Sequence, residues 1–151
     1  LRAAVASMIA LNNTASVTMR SYPVHACSDV TGYGLLGHSF EMASGSGVTI
    51  VLEARKMPLL PGARRLAEQG HLTGGCRRNR DYLKDRIAIE RTVGGSLVEI
   101  ALDPQTSGGL LIAVSEGDAT VLLDALHASG VGAATKVGFA TALQDVSVKL
   151  R

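Results

Sequence analysis

The clearest signals along the chain are one continuous apolar run and one amphipathic stretch. Residues 48–52, VTIVL, are apolar or β-branched without interruption, which predicts a buried strand. Farther on, apolar residues recur with helical spacing over residues 117–129 and predict an amphipathic helix. Ser115 is suited to cap this helix at its start, and Gly130 is suited to end it.

Similar patterns fill most of the remaining chain. Further helices are predicted at residues 3–12, 35–43 and 61–70. Further strands are predicted at residues 96–102, 109–114, 134–140 and 144–150. Asn12 and Asn13 are expected to stop the first helix, and Gly70 to follow the end of the third. Residues 71–92 interleave basic and acidic side chains, and we interpret them as a solvated loop and helix.

Helices and strands therefore alternate loosely, and no internal repeat or linker divides them. This arrangement predicts one layered α/β or α+β domain, with no domain boundary inside residues 1–151. The chain begins with Leu1 inside an apolar, helix-forming stretch, which is typical of a piece of a longer protein.

Composition excludes several classes of protein. A chain of 151 residues that is 46% hydrophobic can bury a core, but its apolar runs are too short to span a membrane. A net charge of +2 indicates neither a nucleic acid nor an anionic membrane as the partner. The two cysteines, Cys27 and Cys76, form no CxxC pair, which argues against a zinc site and against a disulfide framework. A reducing cytoplasm is the expected compartment.

Asp29 is the strongest candidate for chemistry, because it lies in the segment DVTGYG. Magnesium bound to nucleotide phosphates takes one or two carboxylates and fills its other positions with phosphate oxygens and water. A carboxylate at a strand end meets this need, and glycines such as Gly32 and Gly34 allow backbone N–H groups to approach phosphate. The spacing alone is equally compatible with a helix cap or turn at Asp29 and with ordinary turn glycines.

Other polar residues near this segment favour structural roles. His25 and His38 are interpreted as buried or solvated side chains rather than ligands, and Cys27 as a small packed residue. The segment DPQTSGG, residues 103–109, is interpreted as a structural turn, with a phosphate-facing loop as the alternative. Reasoning from these residues reaches a globular domain with one candidate magnesium and phosphate site, and it names no reaction.

Two long strings identify a resemblance to a known family. HACSDVTGYGLLGHSFEMA, residues 25–43, closely resembles the signature of selenophosphate synthetases, and DPQTSGGLL, residues 103–111, matches their second hallmark. PLLPGA, residues 58–63, and the GGxxxN spacing from Gly74 to Asn79 are similar to the same family in the same order. The resemblance covers essentially the whole chain.

The resemblance implies a fold and a place in a larger enzyme. The wider superfamily includes aminoimidazole ribonucleotide synthetase, and the chain is similar to the carboxy-terminal domain of these proteins. The implied fold is α+β, with a mixed β-sheet flanked by helices in three layers (α/β/α). The implied partner is an amino-terminal domain that this sequence lacks and that supplies most of the ATP site. The resemblance also implies that the full-length protein is a homodimer.

The resemblance also implies a reaction, in which ATP, selenide and water give selenophosphate, AMP and orthophosphate. In the family, the aspartate of the DVTG motif is a Mg²⁺ ligand, and it corresponds here to Asp29. Thr31, Gly32 and Gly34 match the rest of the motif as supports of the ATP and phosphate site. The family's catalytic cysteine or selenocysteine and its lysine lie in the amino-terminal half, so the chain alone is predicted to be inactive.

Two other hypotheses remain open at this point. The parent protein could belong to another kinase or ligase of the superfamily, although the full string of residues 25–38 favours the selenium enzyme. The chain could instead be a non-catalytic binding module.

Overall fold

The computed structural model describes the whole chain, Leu1–Arg151, as alternating helices and short strands. The helices are α1 (Arg2–Ile9), α2 (Asn13–Met19), α3 (Gly34–Ser46), α4 (Ala63–Glu68), α5 (Gly74–Leu83), α6 (Gly95–Leu102) and α7 (Glu116–Ala128). The strands are β1 (Val24–Asp29), β2 (Val48–Leu52), β3 (Ile87–Ile89), β4 (Leu110–Val114), β5 (Gly138–Ala142) and β6 (Val148–Leu150). None of the helices combines the length and the apolar character that crossing a membrane requires.

The strands form two sheets. The larger sheet has the order β3-β6-β2-β5, in which β6 runs parallel to β3 and β2 while β5 runs antiparallel to β2. The smaller sheet is the antiparallel pair of β1 and β4. The predicted α+β fold, with a mixed sheet flanked by helices, is confirmed.

The main hydrophobic core lies between the larger sheet and the helices α3, α5 and α6. Strands β2 and β6 supply it with β-branched and leucine side chains, and α6 supplies residues spaced along one helical face. Thirteen buried residues form this core: Leu36, Ala43, Ile50, Leu52, Ala54, Met57, Leu83, Leu97, Val98, Ala101, Leu102, Val148 and Leu150. The predicted buried strand at residues 48–52 is therefore confirmed as the centre of the fold.

A second, smaller cluster lies beside the two-stranded sheet. Ala15 of α2 and Leu122 and Leu126 of α7 are its buried members, and apolar residues of β4 pack against them. The amphipathic helix predicted at residues 117–129 is confirmed as α7. Ser115 caps it by accepting a hydrogen bond from the N–H of Asp118 at 3.2 Å.

Glycines end two helices as expected. Gly70 after α4 and Gly130 after α7 adopt left-handed φ angles of 82° and 90°. The N–H groups of the residues that follow them, His71 and Val131, bond back to the carbonyls of Leu66 and Leu126. These are the hydrogen bonds of a glycine helix end, in which an orphan carbonyl of the last turn is satisfied.

The strand predicted at residues 96–102 is wrong, because this segment is helix α6. Its buried residues are Leu97, Val98, Ala101 and Leu102, which recur at helical rather than alternating spacing. A continuous apolar run of this length is compatible with either element, and tertiary packing against α3 and α4 selects the helix.

The first predicted helix also differs from the structure. Residues 3–12 were expected to form one helix that stops at Asn12 and Asn13, but α1 ends at Ile9 and Asn13 is the first residue of α2. Asparagine is compatible with both helix ends, so the pair marks a boundary without saying which helix it belongs to. Of the last two predicted strands, the one at 134–140 is shifted toward the carboxyl end as β5, whereas the one at 144–150 is confirmed but shorter, since β6 occupies only the end of that range.

Candidate functional site

The two motif loops meet where the two-stranded sheet ends. Strand β1 runs into the DVTG loop and strand β4 follows the DPQTSGG loop, and their antiparallel register sets Asp29 opposite Leu110. The loop after β1 and the loop before β4 are therefore neighbours in space. Sequence separation gave no indication of this contact.

Hydrogen bonds and a close approach fix the two loops to each other. The N–H of Val30 donates to the carbonyl of Gly109 at 2.9 Å, and the N–H of Gln105 donates to the carbonyl of Thr31 at 3.0 Å. Gly108 lies directly against the Val30 carbonyl, where a Cβ atom would have no room. Glycine is required at this position because the two backbones touch.

Asp29 is exposed at the carboxyl end of β1. Burial alternates along this strand, so His25, Cys27 and Asp29 share its exposed face. No group of this chain donates a hydrogen bond to the Asp29 carboxylate, and no cation pairs with it. Asp29 does not cap α3, whose cap residue is Tyr33. The carboxylate is therefore free to bind a ligand.

The interpretation of Cys27 as a packed residue is wrong, because its side chain is exposed. Strand alternation places it on the same face as Asp29 rather than against the core. Partial desolvation against its neighbours raises the pKa of the Cys27 thiol, and the nearby Asp29 carboxylate raises it further. The thiol form is therefore favoured at neutral pH.

Backbone N–H groups are unpaired in both loops. Those of Thr31, Gly32 and Tyr33 donate no hydrogen bond within the chain. The same holds for those of residues 106–109 in the facing loop. Successive N–H groups without acceptors in an exposed loop provide donors for an anion such as phosphate.

Gly34 begins α3 and holds the DVTG loop against α6. Its φ angle is +68°, and a Cβ atom there would lie 2.8 Å from the carbonyl carbon of Leu102. Its own N–H donates to Thr31. Of the four predicted site residues, Asp29 and Gly32 are exposed and Thr31 is half-buried, whereas Gly34 is buried behind them.

His38 is buried and contacts the loop from behind. Its Nε2 lies 3.2 Å from the Thr31 hydroxyl, and its Nδ1 lies 3.3 Å from the Glu41 carboxylate. An N–H at Nδ1 can donate to the Glu41 carboxylate, and the Thr31 hydroxyl, which can donate or accept, can partner Nε2. His38 therefore orients the Thr31 side chain and has no exposed ring nitrogen aimed at the ligand side.

Helix α5 packs against both loops, which sequence reasoning missed. Asn79, buried to 6% exposure, donates from Nδ2 to the carbonyls of Gly32 at 3.0 Å and Leu102 at 2.9 Å. The solvated interpretation of residues 71–92 is wrong for this helix, whose buried residues are Gly75, Cys76, Asn79 and Leu83. Their helical spacing was the available signal, and the many charged neighbours obscured it.

Asp103, the first residue of DPQTSGG, is also held by α5. Its Oδ1 accepts from the Thr73 hydroxyl at 3.2 Å and lies 3.3 Å from the Cys76 sulfur. Burial raises the pKa of the Cys76 thiol; the Thr73 hydroxyl opposes this, and Asp103 adds to it. The Asp103 side chain is therefore engaged in structure, which favours the turn interpretation for this residue.

Asp29 supplies one free carboxylate at the two loops, whereas the Asp103 carboxylate is engaged by Thr73 and Cys76. No group of three or more His, Cys, Asp or Glu side chains lies close enough together to bind a metal ion. Magnesium on nucleotide phosphates needs only one or two carboxylates. One free carboxylate beside unpaired N–H groups matches that requirement.

Relatives of this chain have a common name. This chain is 44% identical over 148 residues to a protein of Caldanaerobacter subterraneus named selenide, water dikinase. The match covers 98% of this chain and 43% of that protein. This chain is 39% identical over 145 residues to a protein of the same name from Agathobacter rectalis, covering 96% of this chain and 42% of that one. The chain thus spans less than half the length of the curated relatives it matches.

A solved structure has a fold similar to that of this chain. The E. coli hydrogenase maturation protein HypE superposes with a TM-score of 0.66 at 21% identity, covering 95% of this chain and 36% of HypE. The family described as "AIR synthase related protein, C-terminal domain" matches residues 3–151. This match spans both motif loops, both sheets and all seven helices, and the chain therefore belongs to the AIR synthase related C-terminal domain family.

Proposed function

We propose that this chain is the carboxy-terminal domain of a selenide, water dikinase, and that its two facing loops bind the phosphates of Mg²⁺–ATP. The family match and the relatives of that name support the choice of enzyme. The observation that carries the site is the free Asp29 carboxylate next to unpaired N–H groups from two loops.

The reaction proposed for the full-length protein converts ATP, selenide and water to selenophosphate, AMP and orthophosphate. An amino-terminal domain, outside this chain, supplies the catalytic cysteine or selenocysteine and most of the nucleotide site. The full-length protein acts as a cytoplasmic homodimer, and the chain alone binds Mg²⁺–ATP weakly and turns nothing over.

Each loop residue has a separate task in this proposal. Asp29 holds Mg²⁺, while the N–H groups of Thr31 and Gly32 donate to phosphate oxygens. Gly34 allows the loop to pack closely against the end of α6. When bound, the metal neutralises phosphate charge and aligns the phosphoryl group for transfer.

The test is phosphorus NMR of the full-length protein with ATP, Mg²⁺ and selenide. The unsubstituted protein should form selenophosphate, AMP and orthophosphate. Asp29→Asn keeps the size of the side chain but removes its charge, and it should lower the rate by at least about a hundredfold. The Mg²⁺ concentration needed for half-maximal rate should rise as well.

Asp124→Asn is the matched control, since Asp124 is an exposed acid on α7 without an ion pair. It should leave the rate unchanged. Equal losses in both variants would contradict the metal role of Asp29. Formation of ADP without selenide would identify another phosphotransferase of the superfamily instead. Formation of AMP by the 151-residue chain alone would contradict the assignment of the catalytic group to another domain.

A further inference from the structure

Asn79 is a buried polar side chain whose amide group joins the DVTG loop to the last residue of α6, directly before the second loop. Its Nδ2 donates to the carbonyl of Gly32, in the DVTG loop, and to that of Leu102, the residue before DPQTSGG. The Leu102 carbonyl belongs to the last turn of α6, where carbonyls lack intrahelical partners. Both acceptors are carbonyl oxygens, so only the NH₂ end of the amide can face them.

The chemistry of an amide suits this position. An NH₂ group has two hydrogens that point in different directions, so one nitrogen can bond to two carbonyls. Aspartate has the same shape but would bring a charged acceptor toward both carbonyls. Leucine would leave both carbonyls without a partner in a buried environment, which is costly.

The ring of Tyr82 on α5 also packs against the ring of Tyr33, with centroids 5.9 Å apart, but the other side-chain hydrogen bonds of α5 to these loops reach only the second loop. Thr73 and Cys76 bond to Asp103, and the lack of a side chain at Gly75 lets the Pro104 ring lie against the helix. Among the side chains at this end of α5, Asn79 is the one that also bonds to the DVTG loop. Without it, the turn at Gly32 has no side-chain bond to the helix.

We propose that Asn79 is a positioning residue that sets the spacing between the two loops. It directs Asp29 and the unpaired N–H groups of both loops toward one ligand, and it touches no reacting atom. This inference rests on the proposed function, in which the ligand is the phosphate chain of Mg²⁺–ATP.

The primary test is hydrogen exchange of backbone amides in this chain, measured by NMR. The N–H groups of Val30 and Gln105 report on the loop contact, because each bonds across it. The N–H of Ile50, bonded to Ser147 beside the main core, reports on global opening. In Asn79→Ala, exchange at Val30 and Gln105 should accelerate roughly ten- to a hundredfold more than at Ile50, since two hydrogen bonds are lost.

Two further variants keep the test decisive. Val148→Ala removes two methyl groups from the core, away from both loops, and should accelerate exchange at all three amides by a similar factor. Asn79→Ser retains one donor, and it should give a smaller, loop-specific acceleration even if Asn79→Ala fails to fold. Acceleration that is equal at all three amides in both Asn79 variants would overturn the proposal.

The second arm measures turnover of the full-length protein at saturating Mg²⁺–ATP. Asn79→Ala should lower kcat by up to about a hundredfold, because small displacements of binding groups are costly in catalysis. Val148→Ala should leave the kcat of the folded protein unchanged. Loss of loop protection without any change in kcat or KM would also overturn the positioning role. If the unsubstituted protein formed no selenophosphate, the proposed function would fail, while hydrogen exchange would still decide whether Asn79 joins the loops.

Discussion

The four-stranded sheet and the two-stranded sheet differ sharply in the apolar surface they bury. The core beneath the larger sheet contains 13 buried residues, whereas the cluster beside the smaller sheet contains 3. Helix α1 has no buried residue and belongs to neither cluster. It exposes 73% of Ile9, and Leu11 just after it is 84% exposed.

The candidate site lies at the boundary between these two regions. Asp29 comes from the thinly packed sheet, but the helices that hold its loop, α3, α5 and α6, belong to the main core. The large core therefore sets the position of the DVTG loop. The two-stranded sheet contributes the register that brings the second loop beside it.

The largest expected loss of stability comes from replacing a buried leucine by alanine, first in the large core and then in the small cluster. Leu52→Ala, at a side chain 1% exposed in the large core, should lower the free energy of unfolding by about 3–5 kcal/mol. Leu122→Ala, at a side chain 4% exposed in the small cluster, should cost about 2–3 kcal/mol because fewer fixed neighbours allow the site to relax. Urea unfolding followed by circular dichroism measures both, and a larger loss for Leu122→Ala would invert the comparison.

A medium effect is expected where the loop meets the main core. Gly34→Ala introduces a Cβ atom at a φ of +68° and 2.8 Å from the Leu102 backbone. It should lower the free energy of unfolding by about 2–4 kcal/mol, through left-handed strain plus overpacking. Thermal and urea unfolding measure the loss.

Gly47→Ala provides the matched control on the same helix. Gly47 follows the last residue of α3 with a φ of +64°, and nothing lies within 4 Å of an added Cβ atom. Gly47→Ala should lower the free energy of unfolding by only about 1–2 kcal/mol, because it adds left-handed strain without overpacking. Equal losses at Gly34 and Gly47 would show that contact with α6 does not hold the loop.

The smallest effect concerns Glu53, next to the larger sheet. A hydrogen bond from Lys56 lowers the pKa of the Glu53 carboxyl below its ordinary value of 4.5, and Arg151 adds to this. Because the folded-state pKa is lowered, the ionised carboxylate stabilises the fold above pH 4.5, and this stabilisation disappears as the pH falls through the folded-state pKa. Glu53→Gln should therefore be slightly less stable than the unsubstituted chain at pH 7, with the difference vanishing in acid.

Urea midpoints measured from pH 7 down to pH 3 would follow this difference. Asp124→Asn, at an exposed acid on α7 without an ion pair, is the control and should keep the urea midpoint of the unsubstituted chain at pH 7. A Glu53→Gln difference that grew in acid would contradict the assigned direction of the pKa shift. The expected effect is small because exposed ion pairs contribute little to stability.

Local signals predicted much of the fold. Ser115, Gly130 and the VTIVL run were correctly interpreted because capping, glycine helix ends and continuous apolar runs depend on neighbours in sequence. Residues 96–102 were misassigned as a strand because an apolar run of that length satisfies either element. Only packing against α3 and α4 selects the helix.

The candidate site likewise contains residues that the sequence indicated and residues that it did not. Asp29 could be singled out from its glycine-rich surroundings, and the family motif gave it a role. The contributions of Asn79 and His38 could not be found, since their partners lie 47 and 7 residues away and are backbone or hydroxyl groups without a sequence signature. The exposure of Cys27 also depended on which face of β1 packs, and the tertiary structure fixes that face.

Residue identity and short-range spacing were enough to predict the family, most helix and strand types, and the residue that we propose binds magnesium. That the DVTG and DPQTSGG loops face each other, and that α5 contacts both, depends on the tertiary structure. Their contacts are long-range backbone hydrogen bonds and close approaches at glycine. Any residue can make a backbone hydrogen bond, so such contacts leave little trace in the sequence.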